Sequence, residues 1–167
     1  MNKYSESIPL GLITADQAAA KTNVEKLRNG IAVFTNGVFD ILHRGHLDYL
    51  AAARDLGHKL FVGLNSDSSV HRIKGDDRPI NNERDRAFAL LSLKCVDYVI
   101  LFDEDTPERL IRTITPDILV KGGDYKVEEI VGYDHVVASG GKVVTIPLSE
   151  GYSTTGFIEK IVKTYSR

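Results

Sequence analysis

Two histidines, His43 and His46, stand three residues apart at the start of an apolar, alanine-rich segment. On the first turn of a helix, that spacing places both imidazole rings on one face. Gly45 lies between them and has no side chain to obstruct a ligand that approaches the backbone. The free N–H groups and the positive dipole end of a helix start favour anions, and imidazoles add donors near pH 7. The pattern therefore predicts a site for a polyphosphate.

A metal site and an incidental pair of surface histidines are the alternatives to this interpretation. The pattern His-x-Gly-His is expected only about 0.012 times by chance in a chain of this composition. Zinc would need further ligands, and the single cysteine, Cys95, lies in an apolar stretch without a second cysteine nearby. A phosphate site is therefore favoured over a metal site.

A basic segment, residues 66–79, follows the second apolar stretch and contains Arg72, Lys74 and Arg78. We interpret it as a flexible loop that can close over phosphates, although a solvated surface loop would have a similar composition. Arg86, on the helix expected next, either points toward the same phosphates or forms a surface ion pair. The sequence leaves the roles of Arg72 and Arg86 open.

The chain contains two more polar segments that could hold a ligand. Near the carboxyl terminus, Ser153 and the two threonines after it stand at an expected helix start, where one hydroxyl caps the helix and the others can bind phosphate. Earlier in the chain, the segment KGGDY combines Lys121, Asp124 and Tyr125 with two glycines, and suits either a base or sugar, or a tight turn. Asp40 could likewise bind sugar hydroxyls or hydrogen-bond within the protein.

Apolar stretches that alternate with helical patterns must position these groups. Strands are expected at 31–35, 59–66, 97–102, 117–122 and 142–147, and helices at 14–29, 45–56, 82–93, 107–114 and 153–165. The expected caps are Thr14 and Ser153, with Gly30 as the stop of the first helix. The alternation predicts an α/β, Rossmann-like, doubly wound five-stranded parallel sheet with helices on both faces. Ligands bind such sheets beyond the carboxyl ends of the strands, where the strand order reverses.

Composition agrees with one enzyme domain of 167 residues. With 21 basic and 23 acidic residues, the net charge is −2, so neither nucleic acid nor a membrane is an expected partner. One cysteine, and no signal peptide or long apolar span, indicate a reducing cytoplasm. We divide the chain into an N-terminal extension helix (1–30) and a catalytic domain (31–167).

Five segments together resemble the nucleotidyltransferase superfamily that contains the cytidylyltransferases and the sugar-phosphate adenylyltransferases. They are NGVFDILHRGHLDYL (36–50), KGDDRPINNERDRA (74–87), VDYVILFDEDTPERLI (96–111), PDILVKGGDY (116–125) and EGYSTT (150–155). Within it, the chain is most similar to stand-alone heptose 1-phosphate adenylyltransferases, without the kinase to which this domain is often fused. Glycerol-phosphate cytidylyltransferases usually have an arginine and a threonine where this chain has Leu148-Ser149, which argues against that branch.

The resemblance implies transfer of AMP from ATP to a heptose 1-phosphate, giving ADP-heptose and pyrophosphate for lipopolysaccharide core synthesis. The alternatives are a cytidylyltransferase for glycerol 3-phosphate or a related small phosphate, and an inactive nucleotide-binding regulatory module. The implied catalytic residues are His43, His46 and Lys74. The implied nucleotide-binding residues are Asn36, Gly37, Phe39, Gly45, Lys121, Gly123, Ser153, Thr154 and Thr155, and the implied substrate-binding residues are Asp40, Arg78, Asp124 and Tyr125.

The resemblance also implies a cofactor and an assembly. Mg²⁺ is expected to be held mainly by the phosphates of ATP, without a metal site built from protein side chains. A homodimer is expected, because the N-terminal helix presents Ala18, Ala19, Val24 and Leu27 beyond what a five-stranded unit needs. The alternative is that this helix packs its apolar face on its own domain.

Overall fold

The computed structural model describes residues 8–149 and 151–166. Its strands are β1 (Ala32–Gly37), β2 (Lys59–Asn65), β3 (Tyr98–Phe102), β4 (Ile118–Gly122) and β5 (Lys142–Ile146). Its α-helices are α1 (Ala15–Leu27), α2 (Arg44–Asp55), α3 (Asp67–Lys74), α4 (Glu83–Leu91), α5 (Glu108–Ile114), α6 (Tyr133–Ala138) and α7 (Thr154–Tyr165), and 3-10 helices span Ile8–Gly11 and Val127–Glu129. None of these described helices is long and apolar enough to span a membrane.

The five strands form one parallel sheet in the order β3-β2-β1-β4-β5. Side chains alternate across the sheet, so Val33 enters one apolar layer and Phe34 the other. The layer around Val33 is covered by α2 and α4, and the layer around Phe34 by α1, α5 and α6. The prediction of a doubly wound parallel sheet with helices on both faces is therefore confirmed.

Every expected strand and helix is present, with boundaries within about two residues of the sequence-based ones. Thr14 caps α1 through a capping box, in which its hydroxyl accepts from the Gln17 N–H at 3.2 Å and the Gln17 side chain accepts from the Thr14 N–H at 2.9 Å. The expected stop at Gly30 comes too late, because the helix ends at Leu27 and Asn29 adopts a left-handed φ of 56°. Helix α1 therefore ends before the glycine that suggested its stop.

Helix α1 packs on its own domain. Ala18 is fully buried in the layer around Phe34, and the Lys26 ammonium donates to the Thr115 carbonyl at 2.7 Å. Ala18 is therefore not available to a partner, contrary to the sequence-based interpretation. Val24 and Leu27 do remain exposed, at 42% and 86%.

The sequence-based description of residues 66–79 as a flexible loop is wrong for its first part. Asp67–Lys74 is helix α3, and its cap is Ser66, whose hydroxyl accepts from the Ser69 N–H at 3.1 Å. The helix is short and buries only Ser69 and Val70 within its span, so it lacks the apolar periodicity that identifies a longer helix. Helix α6 was missed for the same reason, since it has six residues and buries only Val136.

The strand order reverses at β1, which pairs with β2 on one side and with β4 on the other. In a doubly wound sheet this reversal opens a crevice beyond the carboxyl ends of the two diverging strands. The loops after β1, β4 and β5 therefore meet at one edge of the sheet.

Candidate active site

A cleft with a volume of about 410 Å³ lies at that edge. Its walls come from five separate regions of the chain. These are Asn36–Asp40; His43, Gly45, His46 and Tyr49 at the start of α2; Lys74 with Arg78; Lys121 with Gly122; and Leu148, Ser149 and Tyr152–Thr155 before and at the start of α7. The sequence-predicted residues that it brings together are Asn36, Gly37, Phe39, Asp40, His43, Gly45, His46, Lys74, Arg78, Lys121, Ser153, Thr154 and Thr155. Its volume is within the range typical of small-molecule sites.

The two histidines lie face to face in this cleft. His43 occupies the cap position of α2 with an extended backbone, and its ring stacks on that of His46 with a centroid distance of 3.8 Å and an interplanar angle of 18°. The edge of Phe39 meets His46 at 5.3 Å. The buried Nδ1 atoms of both rings have no hydrogen-bond partner within residues 8–149 and 151–166. Stacking thus positions both rings in the wall of the cleft.

Burial, with a smaller contribution from the neighbouring His43, lowers the pKa of His46 to about 4. Burial also lowers the pKa of His43. Both rings are therefore neutral at pH 7 in the free protein. A bound polyphosphate favours the charged form of a nearby imidazole, so the site can take up protons as an anionic ligand enters.

Gly45 has no room for a side chain. A Cβ atom at this position would lie 3.0 Å from the Cβ of Tyr152 and 3.3 Å from the ring of His43. Tyr152 belongs to the segment that precedes α7, so Gly45 lets the two helix starts approach one another. This contact brings the hydroxyls of α7 to the histidines.

The carboxylate of Asp40 is engaged within the protein. It is buried and accepts from the Arg78 Nε at 2.7 Å and from the N–H groups of Ile80 and Asn81 at 2.9 Å. Burial alone would raise the pKa of Asp40, but these hydrogen bonds and the Arg78 charge outweigh it and lower the pKa. The geometry matches the alternative for Asp40, a hydrogen-bonding role within the protein, and not direct contact with sugar hydroxyls. Asp40 thereby fixes the loop that carries Arg78.

The four basic residues of this region have different positions. Lys74, at the carboxyl end of α3, and Arg78 both line the cleft. Arg72 does not line it and instead pairs with Asp105 at 2.8 Å and with Asp103. The side chain of Arg86 is fully buried behind the cleft.

Arg86 ties together the ends of two strands. It donates to the carbonyls of Val38 at 2.7 Å and Asn65 at 2.8 Å, and to the carboxylate of Asp67 at 2.7 Å. Neither sequence-based interpretation of Arg86 is right, because the residue contacts neither the cleft nor the solvent. Its role is to hold the loops after β1 and β2 in place.

The start of α7 presents its hydroxyls to the cleft. Ser153 is the cap, as predicted, and accepts from the Gly156 N–H at 3.0 Å. Thr154 and Thr155 line the cleft beside it. Glu150, the first residue of the EGYSTT segment, lies outside the described residues.

The KGGDY segment divides into two parts. Lys121 lines the cleft, and burial lowers its pKa. Gly123, with a left-handed φ of 114°, Asp124 and Tyr125 do not line this cleft. Their expected contacts with nucleotide or substrate therefore have no support from the cleft itself.

Sequence reasoning missed several residues that line the cleft, among them Tyr49, Leu148 and Tyr152. The Tyr49 hydroxyl lies 2.6 Å from that of Thr35, and burial raises the pKa of Tyr49 to about 12. One signal was available for Tyr49, because it follows His46 by three residues and so shares its helix face. Leu148 and Tyr152 come from a loop, and no periodic pattern marks them.

The described residues contain no group of three or more His, Cys, Asp or Glu side chains that could hold a metal ion. Asp40, the carboxylate that lines the cleft, is occupied by Arg78 and two backbone N–H groups. That Mg²⁺ is held mainly by the phosphates of ATP stays a prediction.

The chain is similar to known sequences over most of its length. A family model described as cytidylyltransferase-like matches residues 34–160. Two relatives, each named bifunctional protein HldE, come from Syntrophotalea carbinolica and Citrifermentans bemidjiense and are 54% and 55% identical over 144 and 141 residues. The matches cover 86% and 84% of this chain but only 29% of each relative, so the chain spans less than a third of their length.

Solved structures show the same architecture. A lipopolysaccharide core biosynthesis protein from Thermoplasma volcanium is 35% identical with a TM-score of 0.59, and the match covers 74% of this chain and 99% of that one. Pantothenate synthetase from Thermus thermophilus has a TM-score of 0.56 at 17% identity, covering 81% of this chain and 61% of that one. The second likeness is one of fold alone.

Proposed function

Because this chain belongs to the cytidylyltransferase-like family, we propose that it transfers AMP from ATP to a heptose 1-phosphate, giving ADP-heptose and pyrophosphate. The observation that carries the proposal is the stacked pair His43 and His46, whose rings line a cleft that also contains Lys74 and the start of α7. This arrangement suits the triphosphate of a nucleotide. The matched family is named for an enzyme activity, and the residues proposed to bind phosphate, His43, His46, Lys74 and Ser153–Thr155, are all present in the cleft. Both facts weigh against an inactive regulatory module.

In the proposed reaction, an oxygen of the sugar phosphate attacks the α-phosphorus of ATP in line. A new P–O bond forms, the bond from the α-phosphorus to the bridging oxygen breaks, and pyrophosphate leaves with the bonding electrons. The nucleophile is already an anion at neutral pH, so no general base is needed. Catalysis then depends on positioning and on neutralising charge, with no covalent enzyme intermediate.

The protein groups divide this work by position. His43, His46 and Lys74 are proposed to stabilise the charge that builds up around the α-phosphate and the bridging oxygen. Thr154 and Thr155, with the first N–H groups of α7, would receive the leaving pyrophosphate. Mg²⁺ bound to the ATP phosphates would supply further charge neutralisation.

The assignment of the sugar substrate is supported by sequence similarity, whereas the proposed chemistry is supported by the geometry of the cleft. Residues 36–50, 74–87 and 116–125 resemble heptose 1-phosphate adenylyltransferases, and the Thermoplasma relative carries a name from lipopolysaccharide core biosynthesis. Leu148 and Ser149 stand where the glycerol-phosphate cytidylyltransferases usually have arginine and threonine. Both observations favour a sugar phosphate over glycerol 3-phosphate.

A pyrophosphate-release assay tests the proposal directly. ATP, CTP and GTP are each combined with a panel of acceptors: heptose 1-phosphates of both anomers, hexose 1-phosphates and glycerol 3-phosphate. We expect release with ATP and a heptose 1-phosphate. Release only with CTP and glycerol 3-phosphate would establish the cytidylyltransferase alternative, and no release with any pair would support the regulatory module.

The proposal includes a homodimer and, because ATP is required, a cytoplasmic location. Val24 and Leu27 of α1 are exposed, as are Phe157, Ile161 and Val162 on α7 beside the cleft. Burying such apolar residues between two copies would be favourable. Light scattering at micromolar concentration tests the dimer, since a mass near the 18.5 kDa of one chain would reject it.

A further inference from the structure

A second, smaller cavity of about 180 Å³ adjoins the active-site cleft. Its lining is mostly apolar, with a tyrosine ring and one carboxylate, and consists of Asn36, Pro107, Lys121, Tyr125, Glu129, Ile130 and Val131. Asn36 and Lys121 line both spaces. The two cavities therefore meet at the ends of β1 and β4.

The two cavities belong to opposite faces of the sheet. Phe34 of β1 pairs in register with Leu119 of β4, and both enter the same apolar layer. Two residues further along each strand, Asn36 and Lys121 point to that same face. Ile130, in the smaller cavity, belongs to this layer too, whereas Tyr49, behind the histidines, belongs to the other. A ligand that reaches from the histidines into the smaller cavity therefore passes Asn36 and Lys121, the two residues that line both spaces.

Within residues 8–149 and 151–166, Lys121 forms no ion pair, and Glu129, the carboxylate of the smaller cavity, lies 3.7 Å from the Lys126 ammonium instead. Burial lowers the pKa of Lys121, and no carboxylate within the described residues offsets that effect. An anion beside the ammonium group would offset this cost of burial. The position between two cavities suits an anion shared by the ligands of both.

The charged residues that line the two cavities differ, and this difference indicates which part of the substrates each cavity suits. The larger cleft contains both histidines, Lys74 and Arg78, which suit a triphosphate, and its volume fits a nucleotide. The smaller cavity is too small for a nucleotide and has a single charged group besides Lys121, the carboxylate of Glu129. A carboxylate repels phosphates and accepts hydrogen bonds from hydroxyls, so this cavity suits an uncharged polyhydroxylated ring.

We infer that the smaller cavity binds the sugar ring of the acceptor and that Lys121 binds the acceptor's phosphate, which it holds between the two cavities. Glu129 accepts hydrogen bonds from the sugar hydroxyls, and Tyr125 covers the ring. This inference rests on the proposed function and adds to it the location of the acceptor. It also makes Lys121, expected from the sequence to bind the nucleotide, a residue for the acceptor.

The test compares Lys121→Met, which keeps the length of the side chain without its charge, with the matched control Lys142→Met. Lys142 is an exposed lysine at the start of β5, so it lies at the amino ends of the strands, away from the carboxyl ends where the two cavities meet. Loss of a charge-assisted bond to phosphate should raise the KM for heptose 1-phosphate about ten- to hundred-fold, with the KM for ATP changed less than about two-fold. Lys142→Met should change neither constant.

A second pair of variants tests the sugar pocket without touching a buried residue. Glu129→Gln should weaken the acceptor about three- to ten-fold, and the neighbouring Glu128→Gln, an exposed residue outside both cavities, should not. If either Lys121→Met or Glu129→Gln instead raises the KM for ATP and leaves the acceptor unchanged, the smaller cavity holds the nucleotide base and the inference is wrong.

Calorimetric titration of heptose 1-phosphate into protein saturated with a non-hydrolysable ATP analogue separates this inference from the proposed function. Binding by the wild-type protein that is lost in Lys121→Met supports the inference even if no turnover occurs. Turnover by the wild-type protein with equal acceptor binding in Lys121→Met supports the function and overturns the inference. No binding by the wild-type protein overturns it as well.

Discussion

Replacing the stacked histidines singly and together tests whether they act as one unit. Both rings line the same cleft. Removal of one preorganised donor to a transition state lowers kcat by about 10²–10³, equivalent to about 2.7–4 kcal/mol. We therefore expect His43→Ala and His46→Ala each to lower kcat by that factor. Their centroids are only 3.8 Å apart, so both rings can meet a single phosphoryl group.

Two groups that act on one phosphoryl group do not have additive effects. Independent donors would make the double variant about 10⁴–10⁶-fold slower than the wild type. We expect a smaller loss, close to that of the slower single variant, because the remaining ring loses its stacking partner as soon as the first is removed.

The assay is steady-state pyrophosphate release at saturating ATP and acceptor, with thermal unfolding to show that each variant is folded. His71→Ala is the control, since His71 is exposed on α3 and lines neither cavity. Near-normal kcat in a folded single variant would remove that histidine from the mechanism. A loss in the double variant equal to the product of the single losses would show that the rings act separately.

Three further results are expected. Lys74→Ala should lower kcat at least ten-fold with little change in the KM for ATP, because its charge is used mainly in the transition state, and a change confined to KM would make it a binding residue. Arg86→Met should reduce the free energy of unfolding in urea by about 3–5 kcal/mol, since it leaves Asp67 and the carbonyls that Arg86 binds without their partner, and a loss under about 1 kcal/mol would contradict this role. The pKa of His46 is about 4 in the folded chain and about 6.5 when unfolded, so the unfolded state binds more protons between these values. The contribution of neutral His46 to the free energy of unfolding should therefore be fully present above about pH 6.5. It should fall by about 1–2 kcal/mol, after allowance for solvent screening, as the pH decreases toward 4. The His46→Gln variant should lose this part of the pH dependence. If the urea unfolding midpoint changes with pH in the same way in the wild type and in the variant, this assignment to His46 is wrong.

The fold could be predicted because its signals are local and repeated. Five apolar stretches of strand length alternate with helical segments, and Thr14 and Ser153 mark helix starts by their capping chemistry. Helix α3 could not be predicted in the same way, because its stability comes from the Ser66 cap and from contacts with distant parts of the chain. Short helices of this kind carry too little periodic pattern to be identified alone.

The candidate site was predictable where one motif carries several groups. His43, Gly45 and His46 are adjacent in sequence, and the cleft gathers them as expected. The partners of Arg86 and Asp40 were not predictable, because they are set by which loops meet across the sheet edge. The position of Lys121 between two cavities likewise depends on the register of β4 against β1, which no local pattern specifies.

The most direct measurement follows the α-phosphate of ATP to its product. The protein is incubated with α-labelled ATP, Mg²⁺ and heptose 1-phosphate, and the products are separated and identified by mass. We expect all the transferred label in ADP-heptose, with unlabelled pyrophosphate formed in equal amount. Label that stays in ATP, or that appears as free AMP without a sugar nucleotide, would contradict adenylyl transfer to a heptose phosphate at this site.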